Sequence, residues 1–337
     1  MMTPLLKRAL CLALLVLSMI LLPACEKKST EISGPREKVS IAAVKNQIST
    51  ALIVIADQNG YFIEEGLDAT IQLHTYGKLA METMLSGKAD LATSAETPVM
   101  LAIMAGEKLA VLATIESSKE NEGLLVKKSS GIKTFSDLRG KRIGVTPGTS
   151  GEFFLDTMLT SGGLRQEDVL ILSLAPKEMP EAMRSNRVDA VAVWNFPLQE
   201  MKNEFGDQVI ILRDQTLYTS FFCLSTHQDY ARTRKDLLIK VMRALVKAED
   251  FIKDNPEQAR RLLKTSLGLN EQLISQLWPI YSFKVSLNQS LLIILEDEAH
   301  WAINRNLVPA TQIPNIAEYL YPDALSAARP AAVRLIR

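Results

Sequence analysis

From residue 39 onward, short apolar runs alternate with segments whose apolar residues recur every three or four positions. The first pattern suits buried strands and the second suits helices lying on them. Together they predict an α/β architecture with mostly parallel sheets flanked by helices. Strands are expected over 39–44, 67–73, 89–93 and 109–115, with helices over 51–59, 80–85 and 98–105 between them. Ser49 or Thr50 would cap the first helix, and Gly60 and Gly106 stand where helices must stop. A second series has strands over 142–146, 169–172, 188–193 and 209–212, with helices over 151–161 and 180–185. From 229 to 319 the pattern is mostly helical, broken at Pro256, Pro279 and Pro314.

A short repeat joins the two series. Met84-Leu-Ser-Gly-Lys-Ala-Asp90 and Met183-Arg-Ser-Asn-Arg-Val-Asp189 each close a helix, turn, and enter a buried strand. The turn residue in each copy tolerates positive φ, Gly87 in one and Asn186 in the other. Two similar lobes facing each other account for this pattern; chance recurrence of a βα unit is the alternative.

Ahead of the first strand the chain changes character. Residues 9–22 form an uncharged run of 14 residues behind Lys7 and Arg8. That is shorter than the roughly 20 residues a membrane-spanning helix needs, and it has the layout of a secretory leader. A plain signal peptide and a signal anchor are the open alternatives to a lipid-attachment signal. The polar residues 26–38 then read as a tether. The ending Leu22-Pro23-Ala24-Cys25 resembles the lipobox of bacterial lipoproteins. That resemblance implies lipidation of Cys25 and a bacterial cell-envelope location, membrane-anchored and facing the periplasm or exterior.

Composition narrows the function. The 38 basic and 38 acidic residues balance, and loss of Lys7 and Arg8 with the leader leaves the acidic side ahead by two. No basic excess points to nucleic acid. Cys11 departs with the leader, and Cys223 between Phe222 and Leu224 reads as an inert core thiol without a disulfide partner. His74, His227 and His300 are scattered without metal-ligand spacing, and neither Gly-x-Ser-x-Gly nor a Walker loop occurs. No catalytic residue, metal or cofactor is therefore expected.

In open α/β sheets, ligands sit beyond the carboxyl ends of the strands. Those ends nominate Gln47, Ser49 and Thr50, then Ser94 and Glu96, then Thr149, Ser150 and Gly151, and lastly Trp194 and Asn195. Tyr218, near a later strand, is a further candidate. Gly148-Thr-Ser-Gly151 at a helix start would offer N–H groups to an anion, or Thr149 and Ser150 would simply cap that helix. Trp194 would grip a flat or apolar solute, and Asn195 is a contact or a cap ahead of Pro197. Glu96 in a first helical turn suits the helix dipole. Facing a cleft, it would instead disfavour anions and favour a cation or N–H donors, and contact with the solute is the expectation adopted.

Residues 56–68 (Ala-Asp-Gln-Asn-Gly-Tyr-Phe-Ile-Glu-Glu-Gly-Leu-Asp), 85–90, 130–145 and 188–194 resemble, in that order, solute-binding proteins of ABC importers for nitrate, sulfonates, taurine and thiamine precursors. The resemblance covers about residues 39 to 320. It implies a type II periplasmic-binding-protein fold, with one lobe formed by 39–125 and 223–325 and the other by 126–222. The chain would cross near 122–126 and 221–225. It further implies a monomer that captures a small-molecule solute by hinge closure and passes it to the permease and ATPase subunits of an importer. A thiamine-pyrimidine-synthase-like enzyme and a ligand-sensing domain are the alternatives on the same fold. The cysteine-rich iron motif of the former is absent, as are the DNA-binding segment or signalling helix of the latter.

Overall fold

The computed structural model describes residues 34–45 and 47–336. The leader, Cys25 and most of the tether lie outside them. The strands are β1 (Glu37–Val44), β2 (Leu67–His74), β3 (Leu91–Ala95), β4 (Leu109–Ser118), β5 (Glu122–Lys127) and β6 (Arg142–Val145), followed by β7 (Leu170–Ser173), β8 (Ala190–Trp194), β9 (Val209–Leu212), β10 (Ser220–His227), β11 (Ser282–Asn288) and β12 (Val333–Arg334). They form a seven-stranded sheet, β12-β11-β4-β10-β3-β1-β2, and a five-stranded sheet, β7-β6-β8-β5-β9.

In each sheet the strands linked through helices are parallel: β1 with β2 and β3, and β6 with β7 and β8. Strands that arrive from the other sheet insert antiparallel, β5 beside β8 and β10 between β3 and β4. No crossover helix precedes either of them, so neither has a route to a parallel register. Register then brings the carboxyl ends together. Ala95 at the end of β3 pairs with Phe222 near the start of β10, and Trp194 at the end of β8 pairs with Glu122 at the start of β5. Both parallel sets therefore point their carboxyl ends at the two connections between the sheets.

Those connections run through residues 119–121 and 213–219, a few residues before the expected 122–126 and 221–225. Strand pairing begins at Glu122 because Gly123, Leu124 and Leu125 continue an apolar run that lies between β8 and β9. β1 also takes in Glu37 and Lys38, assigned above to the tether, since pairing with β2 extends to Leu67. The C-terminal third is not wholly helical. β11 lies in it, with Val285, Ser286 and Leu287 buried against β4.

The seven-stranded sheet carries the larger core. The helix Lys235–Asp254 packs there through Leu237, Leu238, Val241, Met242, Leu245, Ala248 and Ile252, spaced three or four apart. The five-stranded sheet is covered on both faces, by Phe154, Leu155 and Met158 on one and by Met179, Met183, Leu198 and Met201 on the other. The turn residues of the internal repeat, Gly87 and Asn186, both have positive φ, at 73° and 57°. Cys223 is buried and free.

Candidate functional site

A cleft of about 750 Å³ opens where the carboxyl ends converge. Gln47, Tyr76 and Leu79 line it from the seven-stranded sheet, and Lys177, Trp194 and Met201 from the five-stranded sheet. The Tyr76 and Trp194 rings approach across it, centroids 6.2 Å apart and tilted by 41°. Lys78 Nζ reaches over to donate to the Pro147 carbonyl at 3.2 Å. Beneath the rings the cleft narrows into a recess of about 30 Å³, lined by Ser49, Asn121, Thr149, Ser150 and Phe222 among others. That is enough space for one or two waters or a small polar group.

Local sequence explains this placement. Gly77 follows Tyr76, and a Cβ there would stand 3.0 Å from the Ser94 Cα, so glycine eases the close packing of the start of that helix on β3. Phe196, next to Trp194 and Asn195, lines the cleft with φ 87° and ψ −79°, a strained γ-turn-like conformation for a non-glycine residue. It redirects the chain from β8 into the helix Pro197–Phe205 and leaves the Trp194 ring facing the cleft.

Gln47, Ser49, Thr149, Ser150 and Trp194 thus come together at the cleft and recess as expected. The others do not. Thr50 is buried and donates to the Val44 carbonyl at 2.9 Å, which ties the loop to β1 in place of capping the next helix. Ser94 is buried beneath Gly77, and its hydroxyl donates to the Ala95 carbonyl at 3.1 Å. Gly151 packs the helix Ser150–Ser161 on β8, where an added Cβ would meet the Ala192 carbonyl oxygen at 3.2 Å. Asn195 caps no helix. Its Nδ2 donates to the Glu120 carbonyl at 2.7 Å, fastening β8 to the connection between the sheets.

The anion nest is also filled from within. Gly148 N–H donates at 2.7 Å to Glu152 Oε2, a carboxylate four residues on in the same helix start. Thr149 donates to the Thr146 carbonyl at 2.7 Å, so neither Thr149 nor Ser150 serves as a side-chain cap.

Glu96 departs most from expectation. It is fully buried and lines neither the cleft nor the recess. One oxygen accepts from the Tyr218 hydroxyl and the other from the Phe221 amide at 2.9 Å. Tyr218 is occupied in the same way and lies inward, edge-on to Phe153 at 5.5 Å. Burial, with the Glu122 carboxyl nearby, pushes the Glu96 carboxyl up to about 8.

Three more glutamates share this region. Glu116, Glu122 and Glu298 are each buried, and each is raised chiefly by loss of solvent. At Glu122 the Asn121 amide, donating to Oε1 at 2.8 Å, offsets part of the rise. The sequence reading missed these glutamates because they are distant in the chain. It also missed Tyr76 and Asn121; an aromatic followed by glycine directly after a strand was the available signal for Tyr76.

Comparison with known proteins bears on family and fold. The family model described as "NMT1/THI5 like" matches residues 47–259. A protein described as an aliphatic sulfonates-binding protein of Bacillus subtilis is 26% identical over 270 residues, covering 78% of this chain and 80% of that one. A protein of Brucella abortus described only as a binding protein is 25% identical over 228 residues, covering 66% and 69%. Among solved structures, the periplasmic aliphatic sulphonate binding protein SsuA from Escherichia coli superposes with a TM-score of 0.73 at 23% identity, covering 84% of this chain and 97% of that one. The two-sheet architecture is therefore the periplasmic-binding-protein fold expected from the sequence. On these matches and on the cleft at the converging strand ends, the chain belongs to the NMT1/THI5-like family.

Proposed function

We propose that this chain is the extracytoplasmic solute-binding component of an ABC importer. It captures a small solute between two lobes and presents the closed form to the permease and ATPase subunits. The pairing of Tyr76 and Trp194 from opposite sheets, above a polar recess, carries this reading. An aromatic wall from each lobe stabilises a flat or apolar solute only when the lobes are together, so the solute shifts the population toward closure. Support also comes from relatives named for binding aliphatic sulfonates.

The lobes of this reading are the two sheets with their helices, and residues 119–121 and 213–219 are the hinge. Gln47, Ser49, Asn121, Thr149, Ser150, Tyr76 and Trp194 form the binding site. Binding free energy goes into closure, with no bond made or broken and no cofactor. The protein acts as a monomer, held at the membrane through Cys25.

The test is small-angle scattering of the purified protein with and without a panel of alkanesulfonates, nitrate and aminopyrimidines, read beside melting temperature. A solute at about 100 times its dissociation constant adds roughly 2.7 kcal/mol of stability and is expected to reduce the radius of gyration. Stabilisation with an unchanged radius would remove the hinge from the reading.

A further inference from the structure

The two faces of the five-stranded sheet look onto different spaces. Trp194, Leu198 and Met201 pack on one face, beside the cleft. On the other lie Phe153, Phe154 and Met158. There a second groove, of about 810 Å³, opens between the helix Ser150–Ser161 and the helix Gln289–Asn304. Cleft and groove share no lining residue, and Leu217, in the connection 213–219, borders the groove. The connections between the sheets therefore run between cleft and groove, and a rotation about them that widens one narrows the other.

The groove is bridged from one lobe to the other. The helix Gln289–Asn304 follows β11 and is fixed to the seven-stranded sheet through Glu298, which accepts from the Thr97 hydroxyl. Its far end meets the other lobe. Trp301 Nε1 donates to Asp156 Oδ2 at 2.6 Å, Arg305 Nε stands 3.2 Å from the same oxygen, and the Phe153 ring meets the Trp301 ring edge-on at 5.3 Å. The Asp156 and Arg305 side chains are 12% and 22% exposed, so the ion pair is largely out of water. These contacts are made with the cleft shut, Tyr76 lying 6.2 Å from Trp194 and Lys78 on the Pro147 carbonyl. One helix joins the two places. Ser150 at its start lines the recess, and Asp156 lies about 9 Å further along the axis.

We propose that Asp156, with Phe153, Trp301 and Arg305, forms a latch behind the hinge that opposes opening of the cleft, and so sets solute affinity without touching the solute. The inference rests on the two-lobed capture reading. Opening swings Phe153 and Asp156 toward a ring already in contact, and it moves a short hydrogen bond off its geometry. Asp156 and Arg305 would then lose each other while still shielded from water, which costs more than parting an exposed pair. Apparent affinity scales with the fraction of molecules able to close, so positioning residues behind the hinge move it.

Small-angle scattering of the solute-free full chain reads closure directly, with melting temperature as the folding control. Asp156→Asn removes the charge facing Arg305, and Trp301→Phe removes the N–H. Each is expected to lower the closed-to-open ratio about tenfold and so enlarge the radius of gyration. Thr160→Trp fills the groove from an exposed position on the same helix and should shrink the radius. A merely structural contact would lower melting temperature in the first two variants with no change in radius, and that outcome overturns the latch. An enlarged radius in Thr160→Trp overturns it too. Neither result touches the capture site, whose own test is compaction of the unmodified protein when solute is added.

Discussion

The Glu96 carboxyl accepts from the Tyr218 hydroxyl and the Phe221 amide, and among the described residues no salt bridge reaches it. Desolvation therefore outweighs its hydrogen bonds, and it holds a proton up to about 8 in the fold, against an ordinary value of 4.5. Between these limits the folded chain binds more protons than the unfolded chain. This contribution to stability is complete below pH 4.5 and is lost as pH rises toward 8. Melting temperature followed across that window should decline, and Glu96→Gln should flatten the decline because the amide cannot ionise. An equally steep decline in the variant would place the titration on other groups. The chain showed a glutamate in a first helical turn. It could not show that Tyr218, more than a hundred positions away, would close over it, because burial depends on which strands become neighbours.

At the scale of elements, strands and helices flanked by glycine or asparagine turns were the legible ones. Their period and stop signals are local, as the positive φ at Gly87 and Asn186 bears out. β11 was hidden because Ser282–Asn288 becomes a strand only by pairing with β4, far earlier in the chain. Gly151 shows how a residue type can be read correctly and its role missed. The glycine eases the close approach of the helix Ser150–Ser161 to β8, where a Cβ would stand 3.2 Å from the Ala192 carbonyl oxygen. Gly151→Ala is expected to cost about 1–3 kcal/mol through overpacking, measured by denaturant unfolding, with solute affinity little changed among folded molecules. Affinity loss with unaltered stability would return Gly151 to the binding surface.

For the whole molecule, the two sheets touch on both sides of their connections. On the cleft side are the Tyr76–Trp194 pair and the Lys78–Pro147 hydrogen bond. Away from the cleft, Trp301 Nε1 donates to Asp156 at 2.6 Å, and Phe153 meets Trp301 edge-on at 5.3 Å. Membrane attachment belongs to this scale too. Cys25→Ser is expected to move the protein from the membrane fraction to the soluble fraction, and continued membrane association would remove the lipid anchor from the proposal. The sequence by itself determined the α/β class, the two series of strands, the family and the strand ends where a site belongs, because periodicity, turn chemistry and motif order are properties of neighbouring residues. Only the tertiary structure decided which polar groups face the cleft, that the helix-start nest is filled by Glu152, and that Glu96, Glu116, Glu122 and Glu298 share one buried region. Those outcomes follow from solvent exclusion and from hydrogen bonds between residues distant in the chain, and neither exists until the two sheets have formed and met.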